Sequence, residues 1–212
     1  YPGGYNVSCW DSLTATIDID DVTGGTMPYY YSIADNSLGW TVPLASGFYN
    51  PDSTDHVFDT LSSGLYYMDV LDANGCLVRD SIYLTQPAPL SINAMTPSVF
   101  VGGWGVSCFG FSDGTANASV IGGTGLSGNP DNFSYNYTYL WSNTDTDSTA
   151  LFLSANTMYV VDVWDINGCY TTDSIMLTEP TKLVIDNFTK NNVLCVGGQR
   201  GDATVFVSGA TP

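Results

Sequence analysis

Hydrophobic and polar residues alternate with a period of two along much of this chain, which is typical of β-strands. In residues 13–20 the odd positions are hydrophobic and the even positions are Thr or Asp, which predicts a half-buried strand. Similar short segments follow, separated by Gly-, Pro- and Asn-containing stretches. The further predicted strands are 29–33, 57–61, 66–70, 76–84, 90–95, 137–141, 150–153, 159–163, 169–177, 183–185 and 203–207. No window shows the three-and-four spacing of an amphipathic helix.

Two pairs of these strands flank an Asn-Gly dipeptide, Asn74-Gly75 and Asn167-Gly168. Asn-Gly between alternating strands is a strong hairpin signal, because both residues tolerate the positive φ of a type I′ turn. Pro87 and Pro180 follow the returning strands and end them, since proline has no N–H to donate. The sequence therefore predicts two β-hairpins.

The second hairpin repeats the first. Residues 162–169 (Asp-Val-Trp-Asp-Ile-Asn-Gly-Cys) match residues 69–76 (Asp-Val-Leu-Asp-Ala-Asn-Gly-Cys), 93 positions earlier. Such self-similarity indicates tandem copies of one unit. We predict a first repeat with a long insertion over 1–87, a second repeat over 88–180, and the start of a third, truncated repeat over 181–212. Because the last copy lacks its hairpin, we expect the natural molecule to continue.

Short strands, regular turns and repetition predict an all-β fold of tandem immunoglobulin-like β-sandwich repeats. Hydrophobic residues make up 44% of the 212 residues and aromatics 13%, so each repeat can bury a core. Trp141, on a strand of the second repeat, is predicted to lie in that core beside a disulfide between the sheets.

Charge and hydropathy exclude several partners. The net charge is −17 with four basic residues, whereas nucleic acid requires a basic face. No apolar run approaches the roughly 20 residues needed to span a membrane. Every acidic residue except Glu179 is Asp, which suits turns and calcium ligation.

Five cysteines lie at positions 9, 76, 108, 169 and 195. The repeat predicts two disulfides, Cys9–Cys76 and Cys108–Cys169, and makes Cys195 the first cysteine of the third copy. Disulfides of this kind indicate an oxidising, extracellular compartment. The alternative is that the cysteines are free buried thiols.

Several landmarks of the second repeat resemble the SprB-type repeats of Bacteroidota cell-surface adhesins. They are residues 106–110 (Val-Ser-Cys-Phe-Gly), 112–116 (Ser-Asp-Gly-Thr-Ala), 122–124 (Gly-Gly-Thr), 137–141 (Tyr-Thr-Tyr-Leu-Trp), 165–169 (Asp-Ile-Asn-Gly-Cys) and 177–180 (Leu-Thr-Glu-Pro). The first repeat departs from this pattern at residues 10–13 and at Ile33, which stands where Trp141 stands. The resemblance implies a large secreted protein, exported by the type IX system and displayed on the cell surface, some relatives of which are gliding-motility adhesins. It implies a stalk or adhesive segment rather than an enzyme.

Clustered aspartates make calcium a candidate cofactor. Asp18, Asp20 and Asp21 are close in sequence, and two of them share a strand face, where like charges repel unless solvated or bridged by a cation. The alternative is that they serve turns and solubility. At Asp72 and Asp165, the Asp-x-Asn-Gly pattern lacks the distal Glu of a calcium loop, so a hairpin turn stabilised by the Asp side chain is the favoured interpretation.

Two further sets of residues are candidate surface sites. Tyr135, Tyr137 and Tyr139 alternate and would share one face, which could stack on sugar rings; core packing is the alternative. Four Asp-Ser or Asp-Thr dipeptides followed by a hydrophobic residue resemble Bacteroidota O-glycosylation sites. Their hydroxyl residues are Ser12, Thr60, Ser81 and Ser174.

Catalytic motifs are weak. His56 is the sole histidine, lies in the insertion of the first repeat, and is expected to be an exposed loop residue. Residues 123–128 spell Gly-x-Gly-x-x-Gly, but no helix is predicted after them to hold a pyrophosphate. The favoured function is a non-enzymatic adhesin or filament segment whose partners are neighbouring repeats, surface polysaccharide or other copies in a fibre. The alternative is a carbohydrate-binding module.

Overall fold

A computed structural model describes residues 1–20, 22–35, 56–124, 137–199 and 201–210. Within these residues the chain forms a 3-10 turn at Pro2–Gly4, followed by β-strands. The strands are β1 (Ala15–Ile19), β2 (Tyr30–Asp35), β3 (His56–Leu61), β4 (Gly64–Leu71), β5 (Leu77–Leu84), β6 (Ala88–Pro97), β7 (Gly114–Gly123), β8 (Thr138–Trp141), β9 (Thr149–Leu153), β10 (Met158–Trp164), β11 (Tyr170–Met176), β12 (Val184–Asn191) and β13 (Asp202–Ser208).

A two-stranded sheet packs on a three-stranded sheet in the first half of the chain. β1 pairs antiparallel with β3, and the larger sheet has the order β2-β4-β5. Ala15 and Ile17 of the smaller sheet join Ile33, Tyr66 and Leu84 in one buried cluster. The alternation in residues 13–20 therefore marks the strand correctly, because its hydrophobic positions enter the core. Leu13 is the exception, since it precedes β1 and is exposed.

Two three-stranded sheets, β11-β10-β8 and β6-β7-β9, make up most of the second half. Alternate residues of β7 and β10 are buried, among them Ala116 and Val161. Trp141 is 1% exposed, and its indole N–H donates to the carbonyl of Asp147 at 2.9 Å. Its predicted place in the core is confirmed. The prediction of an all-β, immunoglobulin-like sandwich is confirmed by these paired sheets and their buried faces.

The predicted type I′ turns are wrong. In the first hairpin the N–H of Gly75 donates to the carbonyl of Asp72 at 3.0 Å, and the N–H of Asp72 donates to the carbonyl of Cys76. Gly75 has a φ of 84°, whereas the preceding Asn74 is not left-handed. Each hairpin is therefore closed by a three-residue loop ending in a glycine bulge, because the second hairpin has the same bonds and a φ of 81° at Gly168.

Two local predictions also change. The backbone of His56 begins β3 and pairs with Ile19, so His56 lies in a strand rather than a loop. β6 starts at Ala88, two residues before the strand predicted over 90–95, so it includes Pro89. Proline fits there because β6 is an edge strand of its sheet.

The chain divides into two compact units. The first combines Tyr1–Ser91 with Ile121–Tyr137 and Trp164–Tyr170, and the second contains Ile92–Val120, Thr138–Val163 and Thr171–Pro212. The tip of the β10–β11 hairpin thus belongs to the same unit as the N-terminal sandwich. The repeat boundaries at 87/88 and 180/181 stay a prediction.

No helix among the described residues has the length and apolar character needed to cross a membrane.

Candidate functional site

The carboxylate of Asp165 organises the tip of the β10–β11 hairpin. Its Oδ1 accepts hydrogen bonds from the backbone N–H groups of Asn167 and Cys169, each at 2.9 Å. Its Oδ2 accepts one from the N–H of Thr124 at 2.7 Å. Asp165 is 5% exposed, so these three donors compensate the burial of its charge. The network orients the side chains of Asn167 and Cys169.

Gly123 allows the carboxylate to approach this closely. A Cβ at Gly123 would lie 2.8 Å from Oδ2 of Asp165, and the φ of +66° is one that L side chains rarely adopt. The observed position of the Asp165 carboxylate therefore depends on glycine at residue 123.

The tip attaches to the loop at Ser8 and Cys9. The side-chain amide of Asn167 donates to the carbonyl of Ser8 at 2.9 Å and to Oγ1 of Thr124 at 3.1 Å. Cys169 forms a disulfide with Cys9, with a Cα–Cα distance of 5.6 Å. We call this combination the hairpin–loop junction: the Asp165–Cys169 tip, the Ser8–Cys9 loop, and the disulfide and hydrogen bond between them. All of it lies in the first compact unit.

Local hydrogen bonds hold the loop side of the junction. The N–H of Ser8 donates to Oγ1 of Thr14 at 2.8 Å. The N–H of Val7 donates to the carbonyl of Thr85 at 3.2 Å, directly after β5. Cys9 is therefore fixed beside the end of β5.

The predicted pairing of Cys9 with Cys76 and of Cys108 with Cys169 is wrong in this structure. Cys76 precedes the first residue of β5, whereas Cys9 lies beside its last residues. An eight-residue strand spans roughly 25 Å, far beyond the roughly 7 Å that a disulfide allows between Cα atoms. Cys169 is bonded to Cys9, and Cys76, Cys108 and Cys195 are exposed free thiols. The bond expected beside Trp141 is accordingly not formed.

The first hairpin has the same tip without the junction. Oδ1 of Asp72 accepts from the N–H groups of Asn74 at 2.9 Å and Cys76 at 2.8 Å, and Oδ2 accepts from Thr26 at 3.0 Å. The hydrogen bond from the Cys76 N–H is the main cause that lowers the pKa of Asp72 below its ordinary 3.8. Asn74 and Cys76 are exposed, whereas Asn167 and Cys169 are half-buried.

The loop at Cys108 is built like the loop at Cys9. The N–H of Ser107 donates to Oδ1 of Asp113 at 3.0 Å, and its hydroxyl donates to Oδ2. The hydroxyl bond is the main cause that lowers the pKa of Asp113 below 3.8. The N–H of Val106 donates to the carbonyl of Thr178, as Val7 donates to Thr85. An open cleft of about 460 Å³ adjoins Cys108 and is lined by Ser107, Phe109, Lys182 and Ala210, among others.

The candidate calcium residues lie around the end of β1. Asp18 is exposed on β1, where its Cα partner is Val57, and Asp20 follows the strand and is also exposed. Asp21 lies outside the described residues. Within the described part of the chain, no three His, Cys, Asp or Glu residues are grouped so that they could hold a metal ion. Calcium binding stays a prediction.

The tyrosine row is described in part. Tyr135 lies outside the described residues. Tyr137 and Tyr139 are half-buried, and the hydroxyl of Tyr137 donates to the carbonyl of Gly122 at 2.7 Å. Burial raises the pKa of Tyr139. Tyr137 therefore contacts the last residues of β7, next to Gly123 and Thr124, and its proposed contact with sugars stays a prediction.

The candidate glycosylation residues differ in surroundings. Ser81 and Ser174 are exposed on β5 and β11, and each N–H donates to the carboxylate of the preceding Asp at 2.7 Å. Thr60 is exposed on β3. The hydroxyl of Ser12 instead donates to the carbonyl of Cys9 at 3.0 Å, within the loop. Modification of any of the four stays a prediction.

Comparisons with known proteins identify no family. No family model matches the chain, and no curated protein matches it. Among solved structures, the chain is similar to an amphioxus IgVJ-C2 molecule, at 15% identity over 81% of this chain and 99% of that chain, with a TM-score of 0.27. It is also similar to the FN1-FN3 domains of chicken CNTN1, at 15% identity over 84% of this chain and 69% of that chain, with a TM-score of 0.26.

Proposed function

We propose that this chain is a segment of a non-enzymatic extracellular repeat protein that forms a stalk or adhesive surface of a cell. The hairpin–loop junction carries the proposal. It ties Cys9 of the first predicted repeat to Cys169 of the second, 160 positions along the chain. A bond of this kind persists in oxidising compartments and resists extension of the chain segment that it closes.

The electrostatics support the same role. A net charge of −17 keeps neighbouring segments of an array soluble and apart. The carboxylates of Asp72 and Asp165 each accept three backbone hydrogen bonds, so both side chains hold the hairpin tips in place. The resemblance to SprB-type repeats extends the proposal to surface-displayed adhesins of the gliding-motility kind.

A single-molecule pulling experiment on the chain, held at its two ends, tests the mechanical role. With the Cys9–Cys169 bond intact, the 160-residue segment should not lengthen, and reduction should add roughly 550 Å of contour length at about 3.5 Å per residue. The C9S/C169S variant should release this length without reductant. Equal lengths before and after reduction would contradict the proposal.

Localisation and ligand binding need separate tests. An antibody to the chain should label intact, unpermeabilised cells of the source organism, and labelling that requires permeabilisation would contradict the surface role. In a glycan panel, we expect the Y139A variant to bind as the parent does. Sugar binding that Y139A abolishes would favour the carbohydrate-binding alternative.

A further inference from the structure

The two sides of the hairpin–loop junction each occur a second time in this chain, with a free thiol. The Asp72–Cys76 tip repeats the Asp165–Cys169 tip, and the Ser107–Cys108 loop repeats the Ser8–Cys9 loop. We infer that the Cys76 hairpin of one molecule binds the Cys108 loop of a second copy of this chain and joins it by a disulfide.

The Cys76 hairpin has the same internal hydrogen bonds as the Cys169 hairpin, which binds the Ser8–Cys9 loop. Asp72 holds the N–H groups of Asn74 and Cys76 as Asp165 holds those of Asn167 and Cys169. The side-chain amide of Asn74 donates to Oγ1 of Thr26 at 2.8 Å, which matches the bond from Asn167 to Thr124. An amide nitrogen has two donors, and in Asn167 the second one binds the Ser8 carbonyl. In the second copy, the corresponding acceptor is the carbonyl of Ser107.

The Cys108 loop likewise has the same internal hydrogen bonds as the Cys9 loop. The N–H of Phe111 donates to the carbonyl of Cys108 at 3.1 Å, as the N–H of Ser12 donates to that of Cys9. The N–H of Gly110 donates to Glu179 at 2.7 Å, as the N–H of Asp11 donates to Gln86. Cys108 is exposed beside an open cleft, whereas Cys9 is half-buried under its hairpin. The cleft is where the incoming tip would lie.

A contact between two different surfaces of identical molecules is heterologous. A dimer joined in this way still has one unbound Cys76 hairpin and one unbound Cys108 loop. Further copies therefore continue to add unless the oligomer closes into a ring. The inference rests on the proposed structural role, because it describes how copies of the segment would form a fibre. A chain that stays monomeric would overturn the inference, and surface labelling of cells would still test the proposed role.

Oxidised glutathione can supply the oxidation. The Cys76 thiolate attacks one glutathione sulfur, breaks the glutathione disulfide and releases one glutathione thiolate. The Cys108 thiolate of the second copy then attacks the Cys76 sulfur of the mixed disulfide and releases the second glutathione thiolate. The two protein thiols lose two electrons, glutathione disulfide gains them, and the two released thiolates take up the two thiol protons.

The experiment uses the full chain with Cys195 replaced by Ser, which leaves Cys76 and Cys108 as the free thiols. The protein is incubated in a glutathione redox buffer, quenched with a thiol-alkylating reagent and run on a non-reducing gel. We expect a ladder of oligomers, with Cys76–Cys108 as the linked peptide in mass spectrometry. Because the net charge of −17 repels two copies, added salt should speed the joining.

Matched variants separate specific joining from thiol reactivity. C76S and C108S should each stay monomeric, and their mixture should give dimers and nothing larger. N74A should slow the joining about fivefold, the effect of one lost hydrogen bond. Monomers with glutathione attached, a Cys76–Cys108 bond within one molecule, or dimers linked equally through identical cysteines would each overturn the inference.

Discussion

The side-chain amide of Asn167 donates a hydrogen bond to the carbonyl of Ser8 at 2.9 Å, across 159 positions of sequence. Its counterpart Asn74 has the same place in its hairpin, the same bond to a threonine hydroxyl, and an exposed side chain. The two asparagines thus form a natural pair in which the main difference is the contact with the loop.

We expect N167A to destabilise the first compact unit more than N74A does. N167A removes hydrogen bonds to Ser8 and Thr124, and N74A removes the bond to Thr26. At about 1 kcal/mol for each hydrogen bond, the free energy of unfolding should fall by about 2 and 1 kcal/mol, respectively. Urea unfolding of the oxidised proteins measures both. Equal losses would show that the Ser8 contact adds no stability.

Loss of the Cys9–Cys169 disulfide should lower the stability further. For a closed segment of 160 positions, the chain-entropy model gives about 5 kcal/mol. The C9S/C169S variant should therefore unfold at a much lower urea concentration than the parent. C76S/C108S is the control, because both of its cysteines are exposed free thiols and its midpoint should not change. Similar midpoints for the two double variants would contradict this prediction.

Alanine substitutions at Gly123 and Gly168 distinguish the free-energy cost of backbone strain from the cost of steric crowding. Both have positive φ, but a Cβ at Gly123 would lie 2.8 Å from the Asp165 carboxylate, whereas a Cβ at Gly168 would enter open space. We expect G168A to cost about 1 kcal/mol for the strained backbone. G123A should cost about 3 kcal/mol, because crowding is added. Thermal or urea unfolding checks both, and a G123A variant as stable as G168A would show that the carboxylate can move away.

The fold was largely predictable because alternation reports burial directly. Ala15 and Ile17 enter the core as their spacing predicts, and Trp141 is buried. Turn type was less predictable, because Asn-Gly fits two hairpin loops that differ in the φ of the asparagine, and Asn74 and Asn167 use the loop with a glycine bulge.

The site was not predictable in the same way. The sequence shows that Cys9 and Cys169 belong to repeated motifs, but it does not show which copy of a loop meets which copy of a hairpin. One signal was available in the length of the returning strand: Cys76 directly precedes β5, whereas the chain at Val7, two residues before Cys9, pairs with Thr85 at the other end of that strand. A rough strand length would have placed these two cysteines at opposite ends of the sandwich.

The hydrogen bond between the Ser107 hydroxyl and Asp113 predicts how the stability of the fold depends on pH. Because the pKa of Asp113 in the folded chain is lowered, chiefly by the Ser107 hydroxyl, its ionised form stabilises the fold. This contribution is full above the ordinary value of 3.8 and is lost as the pH falls through the lowered pKa. S107A should bring the pKa of Asp113 back toward 3.8, although the backbone N–H of residue 107 continues to donate. The fold should then be less stable at neutral pH, and less of its stability should be lost on acidification.

A carboxyl NMR titration between about pH 2 and pH 6 measures the pKa of Asp113 in the parent and in S107A. Urea midpoints over the same range give the change in stability. S8A is the matched control, because the Ser8 hydroxyl lies 3.0 Å from the uncharged Thr14 hydroxyl in the equivalent loop, so its pH dependence should follow that of the parent. An Asp113 pKa that S107A leaves in place would assign the shift to the backbone donor instead.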